Sequence, residues 1–306
     1  NIKHLSYLRL RIITERSLIT PSSFAYCFSL IHQVIMKGGI DLHNEKANDL
    51  ETSMEQIALG LDITSFHTVI GSSLLLPRSE MINTLLHIIK EYPKFTKVAR
   101  TAMINLCESI GETAEQKEIN VLLTGLLSPE PFVRHACLQA LDNLDLTDID
   151  FSCELWIGCH DEDEHNAKLA IALWESNGMD VEPSYNVELL PYLIHEEKYV
   201  RECAAKSIGN ASKYFPDSVA DTLSLIYEQY KEKAKPVQPE YDEFGILIPE
   251  SLNKQDQWEA RVGLALSLGT LAQNLRPTDL KPLFEFLIND EAIGDIHAQV
   301  RQKLLE

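Results

Sequence analysis

The sequence predicts an all-α fold, a solenoid of stacked helical hairpins, on three observations. Apolar residues recur at helical spacing from about residue 80 onward, and almost no stretch shows the period-two alternation of a half-buried strand. Turns rich in Ser and Pro separate these patterns. A cation followed by small and apolar residues returns near the start of every second helix, at Arg100, Arg134, Lys168, Arg201, Arg261 and Arg301, with separations of 34, 34, 33, 60 and 40 residues. A repeat of that length is one hairpin, which buries its apolar face only against its neighbours.

The elements follow in order. Residues 1–79 carry apolar helical patterns of irregular length at Leu5 to Ile13, Phe24 to Met36 and Met54 to Leu76, with a polar loop after Gly38-Gly39. They are expected to form irregular or degenerate helical repeats. Residues 80–306 are expected to form regular repeats. Met81 to Ile89 ends near Tyr92-Pro93 and pairs with a helix carrying Val98, Ala102, Leu106 and Ile110. Ile119 to Leu127 pairs with Phe132 to Leu141 across Ser128-Pro129-Glu130-Pro131, where Pro marks a helix start because its missing N–H costs nothing there. The later pairs are Cys153 to Cys159 with Glu164 to Ser176, Val187 to His195 with Tyr199 to Tyr214, Asp217 to Glu232 with Gln257 to Ala272, and Asp279 to Ile288 with His297 to the end. The interval of 60 is explained by an insertion loop at about 233–253, rich in Pro and acidic residues.

Ala136, Ala170, Ala204 and Gly263 supply small side chains where neighbouring helices must approach closely. The form resembles HEAT repeats, whose second helix begins with a Val-Arg pair after an acidic turn: Val133-Arg134, Val200-Arg201 and Val300-Arg301 fit. Acids precede most of the cations by four to six residues: Glu130, Glu162 and Glu164, Glu197, Asp256 and Asp295. A structural ladder of ion pairs is therefore expected at Arg134, Lys168, Arg201, Arg261 and Arg301, each exposed pair worth about 0.2 to 1 kcal/mol. Arg100 has Lys94 and Lys97 where the acids should be, which leaves it available to an outside anion.

Charge restricts the partners. The net charge is −19, which opposes nonspecific attraction to a polyanion. Residues 1–100 hold 11 Lys/Arg against 9 Asp/Glu, leaving 16 against 37 for the remainder. Only the first third suits phosphate, through Lys3, Arg9, Arg11 and Arg16 or through Lys90, Lys94, Lys97 and Arg100, the latter interleaved with Tyr92 and Phe95. A solvated helix face is the alternative reading of either cluster.

Composition excludes wholesale disorder, since 45% of residues are hydrophobic. No apolar run reaches membrane-spanning length and no signal peptide opens the chain, so a soluble cytoplasmic protein is expected. Six scattered cysteines fit reduced, buried thiols. Cys153, Cys159, His160 and His165 lack the short Cys pairs of structural zinc sites. Asp161 to Glu164 lacks the glycine and spacing of a calcium loop and reads as an acidic helix start. No phosphate-binding glycine loop or nucleophile elbow is present. Neither catalysis, cofactor nor metal is expected, and no small-molecule substrate. Trp156, Trp174 and Trp258 read as packing residues, with Trp258 the best of the three for an outside contact.

Longer tracts are more specific. Leu126 to Arg134, Leu138 to Leu146, Glu154 to Glu164, Leu173 to Gly178, Trp258 to Leu266 and Phe284 to Ile288 resemble the family of very large HEAT-repeat translational activators of the general-control (amino-acid starvation) pathway. The resemblance is clear from about residue 54 to 306. It points to a segment ahead of, or entering, the region similar to the HEAT repeats of fungal elongation factor three. It implies a ribosome-bound scaffold that senses stalled or collided ribosomes and helps activate the kinase that phosphorylates the α subunit of initiation factor two. The implied partners are ribosomes, that kinase and an ABC-type ATPase-related protein, the last two through other parts of a longer chain. Asn1 leads almost directly into an apolar helix and the last helix stops at Glu306 without a polar cap, so a piece of a longer solenoid is expected. A nuclear-transport receptor wrapping basic cargo and a phosphatase-type scaffold use the same architecture and are the competing readings.

Overall fold

The computed structural model describes residues 20–38, 50–69, 75–236, 256–289 and 292–306, with isolated positions 12, 73 and 244. Every regular element among them is helical, as an all-α solenoid requires. The expected helix at Leu5 to Ile13, the cations Lys3, Arg9, Arg11 and Arg16, and most of the expected insertion loop lie outside the described residues. The chain forms two compact units, Asn1–Asp148 and Ile149–Glu306.

In the first unit, α1 (Pro21–Met36), α2 (Leu50–Thr68), α3 (Arg78–Glu91), α4 (Thr96–Ile110), α5 (Gln116–Gly125) and α6 (Pro131–Leu141) pack as three successive hairpins. First helices α1, α3 and α5 stack in one layer, and second helices α2, α4 and α6 in the other. The seams are apolar: Met81, Ile82, Leu85, Ile88 and Ile89 of α3 are fully buried, each contributing on the order of 1.5 to 3 kcal/mol of transfer free energy as an upper estimate. Helix starts follow their sequence signals. Thr20 and Ser23 form a capping box on α1, and Pro131 occupies the first turn of α6.

The repeat register is visible in burial. Ala99, Ala102, Met103, Leu106 and Cys107 of α4 are buried, and so are the residues 34 positions on, Val133, Ala136, Cys137, Ala140 and Leu141 of α6.

The second unit contains α7 (Cys153–Gly158), α8 (Glu164–Ser176), α9 (Tyr185–Leu193), α10 (Lys198–Ala211), α11 (Val219–Lys233), α12 (Trp258–Leu271), α13 (Pro277–Phe284) and α14 (Ala298–Leu305). Helices α7/α8, α9/α10 and α11/α12 pair, while α10, α12 and α14 pack in sequence. After α13 the backbone turns to π geometry over Glu285–Asn289, which shortens the expected Asp279 to Ile288 helix. There Phe286 is buried, stacked on Tyr227 at 4.4 Å between centroids and edge-on to Tyr230.

Small residues set the closest approach. A Cβ on Gly263 of α12 would lie 1.9 Å from the Leu193 carbonyl oxygen at the end of α9. Gly209 of α10 faces Thr270 of α12, whose hydroxyl donates to the Ala205 carbonyl at 2.6 Å. No helix of the described residues is long and apolar enough to cross a membrane.

Candidate functional site

The cations of the repeat form a main-chain device. Arg134 is 1% exposed, and its Nη1 donates to the carbonyls of Ser128 (2.9 Å) and Pro129 (3.0 Å). Arg201 makes the same pair of bonds to His195 and Glu196, both at 2.7 Å, and Arg301 to Asp295 (2.6 Å) and Ile296 (3.0 Å). In each repeat the acceptors lie six and five residues before the arginine, which is the fourth residue of its helix. The guanidinium thus closes the inter-helix turn by donating to carbonyls of the turn itself. An acid-based ladder is the expectation from spacing. Two expected rungs form, Glu164 with Lys168 and Asp256 with Arg261, while at Arg134, Arg201 and Arg301 main-chain oxygens lie within reach and Glu130 and Glu197 sit at helix N-caps, where the macrodipole favours them. Burial depresses Arg201, and Glu259, Glu202 and Glu197 oppose that shift.

Two positions differ. Lys168 is the fifth residue of α8, its side chain is 76% exposed, and it reaches Glu164 at 3.6 Å in a solvated i,i+4 pair. The buried residues of α8, Asn166, Ala170, Leu173 and Trp174, lie 33 positions after Val133, Cys137, Ala140 and Leu141, so Ala167 occupies the place of Arg134. The cation pattern is one residue out of register there. Arg261 binds carboxylates on two sides. Its Nη1 meets Asp256 at 2.7 Å, its Nε meets Asp295 at 2.7 Å, and Nη1 also donates to the Lys233 carbonyl. It therefore holds the end of α11 beside the chain entering α12.

The basic cluster Lys90, Lys94, Lys97 and Arg100 gathers at the turn from α3 to α4. Lys90 ends α3, Lys94 lies in the turn, Lys97 opens α4 and Arg100 follows one turn later. The three lysines are exposed and Arg100 is half-buried. Among the described residues none of the four forms an ion pair. The Lys94 ammonium lies 5.7 Å from the Phe95 ring centroid. The turn is pinned from beneath: Tyr92 donates its hydroxyl to the Ile35 carbonyl, and Thr96 donates to the Ile89 carbonyl at 3.1 Å. Beside it, His87 is pushed below its ordinary value by burial.

The residues weighed for metal binding are engaged elsewhere. Cys153 and Cys159 are buried, and burial pushes the Cys159 thiol up to about 12. His160 Nδ1 lies 2.8 Å from the Trp156 carbonyl and 3.1 Å from Ser207 Oγ, and its Nε2 faces Asn210 Nδ2 at 2.7 Å. Asp163 caps α8 by accepting from the N–H groups of His165 and Asn166. Trp156 donates to the Ser207 carbonyl and packs on Trp174, while Trp258 stacks on His297 at 4.0 Å. A cleft of about 330 Å³ in this unit is lined by Trp156, His160, Asn210, Lys213 and Tyr214. Sequence spacing gave no sign of it, since its two walls are about 50 residues apart.

Comparison with known proteins bears on this architecture. Residues 142–306 match the family described as stalled ribosome sensor GCN1, HEAT repeats, and residues 6–90 match fungal GCN1-like HEAT repeats. The eIF-2-alpha kinase activator GCN1 of Saccharomyces cerevisiae is 29% identical over 314 residues, 97% of this chain and 12% of that protein. The stalled ribosome sensor GCN1 of Homo sapiens is 34% identical over 248 residues, 76% of this chain and 9% of that protein. Its counterpart in Mus musculus is 31% identical over 317 residues, 94% of this chain and 12% of that protein. The chain thus spans about a tenth of the length of these relatives. No solved structure matches it. With more than half of its residues matched by one family, the chain belongs to the GCN1 family of HEAT-repeat proteins.

Proposed function

We propose that this chain is a non-catalytic scaffold segment of a cytoplasmic protein that binds stalled or collided ribosomes and promotes activation of the kinase phosphorylating initiation factor two α during amino-acid starvation. The observation that carries the proposal is the family match, together with relatives named as a stalled ribosome sensor and as an eIF-2-alpha kinase activator. The architecture supports it, since stacked hairpins present extended contact surface. In this reading Lys90, Lys94, Lys97 and Arg100 touch the ribosome, being described cations of the basic third that gather at one turn and form no ion pair among the described residues. The kinase and an ABC-type ATPase-related partner engage other parts of the full-length protein.

The test is cosedimentation of the full-length parent with ribosome pairs, comparing wild type with Lys90→Glu, Lys94→Glu, Lys97→Glu, Arg100→Glu combined. Binding is expected to weaken at low salt, with a shallower salt dependence, because surface charge acts within a screening length of about 10 Å at 0.1 M. Unchanged binding removes these residues from the interface.

A further inference from the structure

Two apolar side chains stand exposed beside the basic turn. Val98, in the first turn of α4, is 48% exposed, and Phe132, in the first turn of α6, is 44% exposed. They occupy the same repeat position, 34 residues apart, on second helices that pack against each other, and their successors Ala99 and Val133 are both buried. The core therefore fixes the orientation of this pair. Neither helix needs an exposed apolar residue there for its own packing.

We propose that Val98 and Phe132, flanked by Lys90, Lys94, Lys97 and Arg100, dock an acidic amphipathic helix of a partner protein. The inference rests on the ribosome-contact reading of the same turn and deepens it by naming the class of partner. The first argument is charge: across residues 90–100, four cations without ion pairs stand with one exposed carboxylate, Glu91. A partner segment carrying surplus Asp and Glu completes the balance. The second is spacing. Packed helix axes lie about 8 to 10 Å apart, and residues i and i+7 on a helix lie about 10.5 Å apart along its axis. Two apolar residues at that interval on one face therefore meet Val98 and Phe132 together, the mode by which amphipathic helices seat in apolar grooves. A phosphate backbone satisfies the cations but leaves Val98 uncovered, so RNA fits the charge and not the pair.

The experiment uses the full-length parent with purified ribosomes as the probe. Val98→Ser with Phe132→Ser is expected to weaken cosedimentation about tenfold, as loss of two partly buried apolar contacts should. Unchanged amide exchange in α4 and α6 verifies that the variant is folded. Independently, a photoreactive phenylalanine analogue at position 132 is expected to give an adduct destroyed by protease and resistant to nuclease. Full binding by the serine variant together with loss on charge reversal overturns the helix-docking inference and leaves the ribosome contact standing. Full binding by both variants overturns both. An adduct removed by nuclease overturns the inference in favour of RNA.

Discussion

Arg261 holds Asp295 through two parallel bonds, Nε to Oδ2 at 2.7 Å and Nη2 to Oδ1 at 3.0 Å, joining α12 to the turn that leads into α14. Asp295 Oδ2 also accepts from the Tyr230 hydroxyl at 2.6 Å, Oδ1 accepts from the His297 N–H, and its own carbonyl accepts from Arg301. Burial pushes the Asp295 carboxyl up, but the bonds from Arg261, Tyr230 and His297 outweigh it and hold it below its ordinary value. A carboxyl depressed in the folded state contributes stability above the unfolded value of about 4, lost as pH falls through the depressed one. Asp295→Asn is expected to cost about 3 kcal/mol at neutral pH and to flatten the acid limb of urea denaturation midpoints measured against pH. An equally steep acid limb in the variant contradicts this account.

The turn-closing arginines are expected to resist replacement by lysine. Arg134→Lys or Arg201→Lys leaves a shorter, more strongly hydrated ammonium where the Nη1 of a buried guanidinium met two carbonyls, a loss of about 1 to 3 kcal/mol. Lys168→Ala removes only a solvated pair and should change stability by less than about 0.5 kcal/mol. Chemical denaturation of the three variants side by side decides whether the register drawn through Ala167 is right.

Two glycines of one helix should respond in opposite directions. Gly263→Ala drives a methyl into the Leu193 carbonyl and is expected to cost more than about 3 kcal/mol or prevent folding. Gly269→Ala meets nothing within 4 Å and should stabilise α12 by up to about 1 kcal/mol. Thermal melting of both separates backbone contact from helix propensity.

His160 is held neutral, its value pushed down mainly by burial and further by Lys206 and Lys213, against the pull of the Trp156 carbonyl. A histidine depressed in the folded state contributes stability above the unfolded value of about 6.5, lost as pH falls toward the folded one. Stability is therefore expected to decline in mild acid, and NMR titration should find this ring uncharged at pH 6.5. A ring that protonates above 6.5 is incompatible with the bonding described.

Of the six cysteines, Cys27 is exposed and the other five are buried. Burial raises Cys107 to about 12. A thiol reagent at neutral pH is expected to label Cys27 rapidly and the remainder only after denaturation. Prompt native labelling of Cys107 or Cys137 would show that the α4–α6 seam opens.

Much of this architecture is legible from residue order. Apolar periodicity locates the helices because each hairpin buries one stripe, so boundaries such as Arg78–Glu91 and Cys153–Gly158 fall within a few residues of expectation. Spacing finds the Asp256 partner of Arg261, but it obscures the main-chain partners of the other arginines. Spacing brings a carboxylate within four to six residues of Arg201 and Arg301, yet main-chain oxygens carry no signature in a sequence and lie closer. Lys168 misleads for a related reason, since a cation one residue late looks equivalent until burial shows Ala167 in the slot. Exposure of Val98 and Phe132 is equally hidden, because an apolar letter near a helix start reads the same inside or out.

An arginine that grips backbone oxygens is indifferent to which residues supply them. Ser128-Pro129, His195-Glu196 and Asp295-Ile296 have no side-chain chemistry in common, yet each turn is closed by the same guanidinium geometry. Such corners can exchange their outward side chains without disturbing the layers they connect. Each bend of the array is thereby free to acquire its own vocabulary of contacts while the frame beneath stays constant.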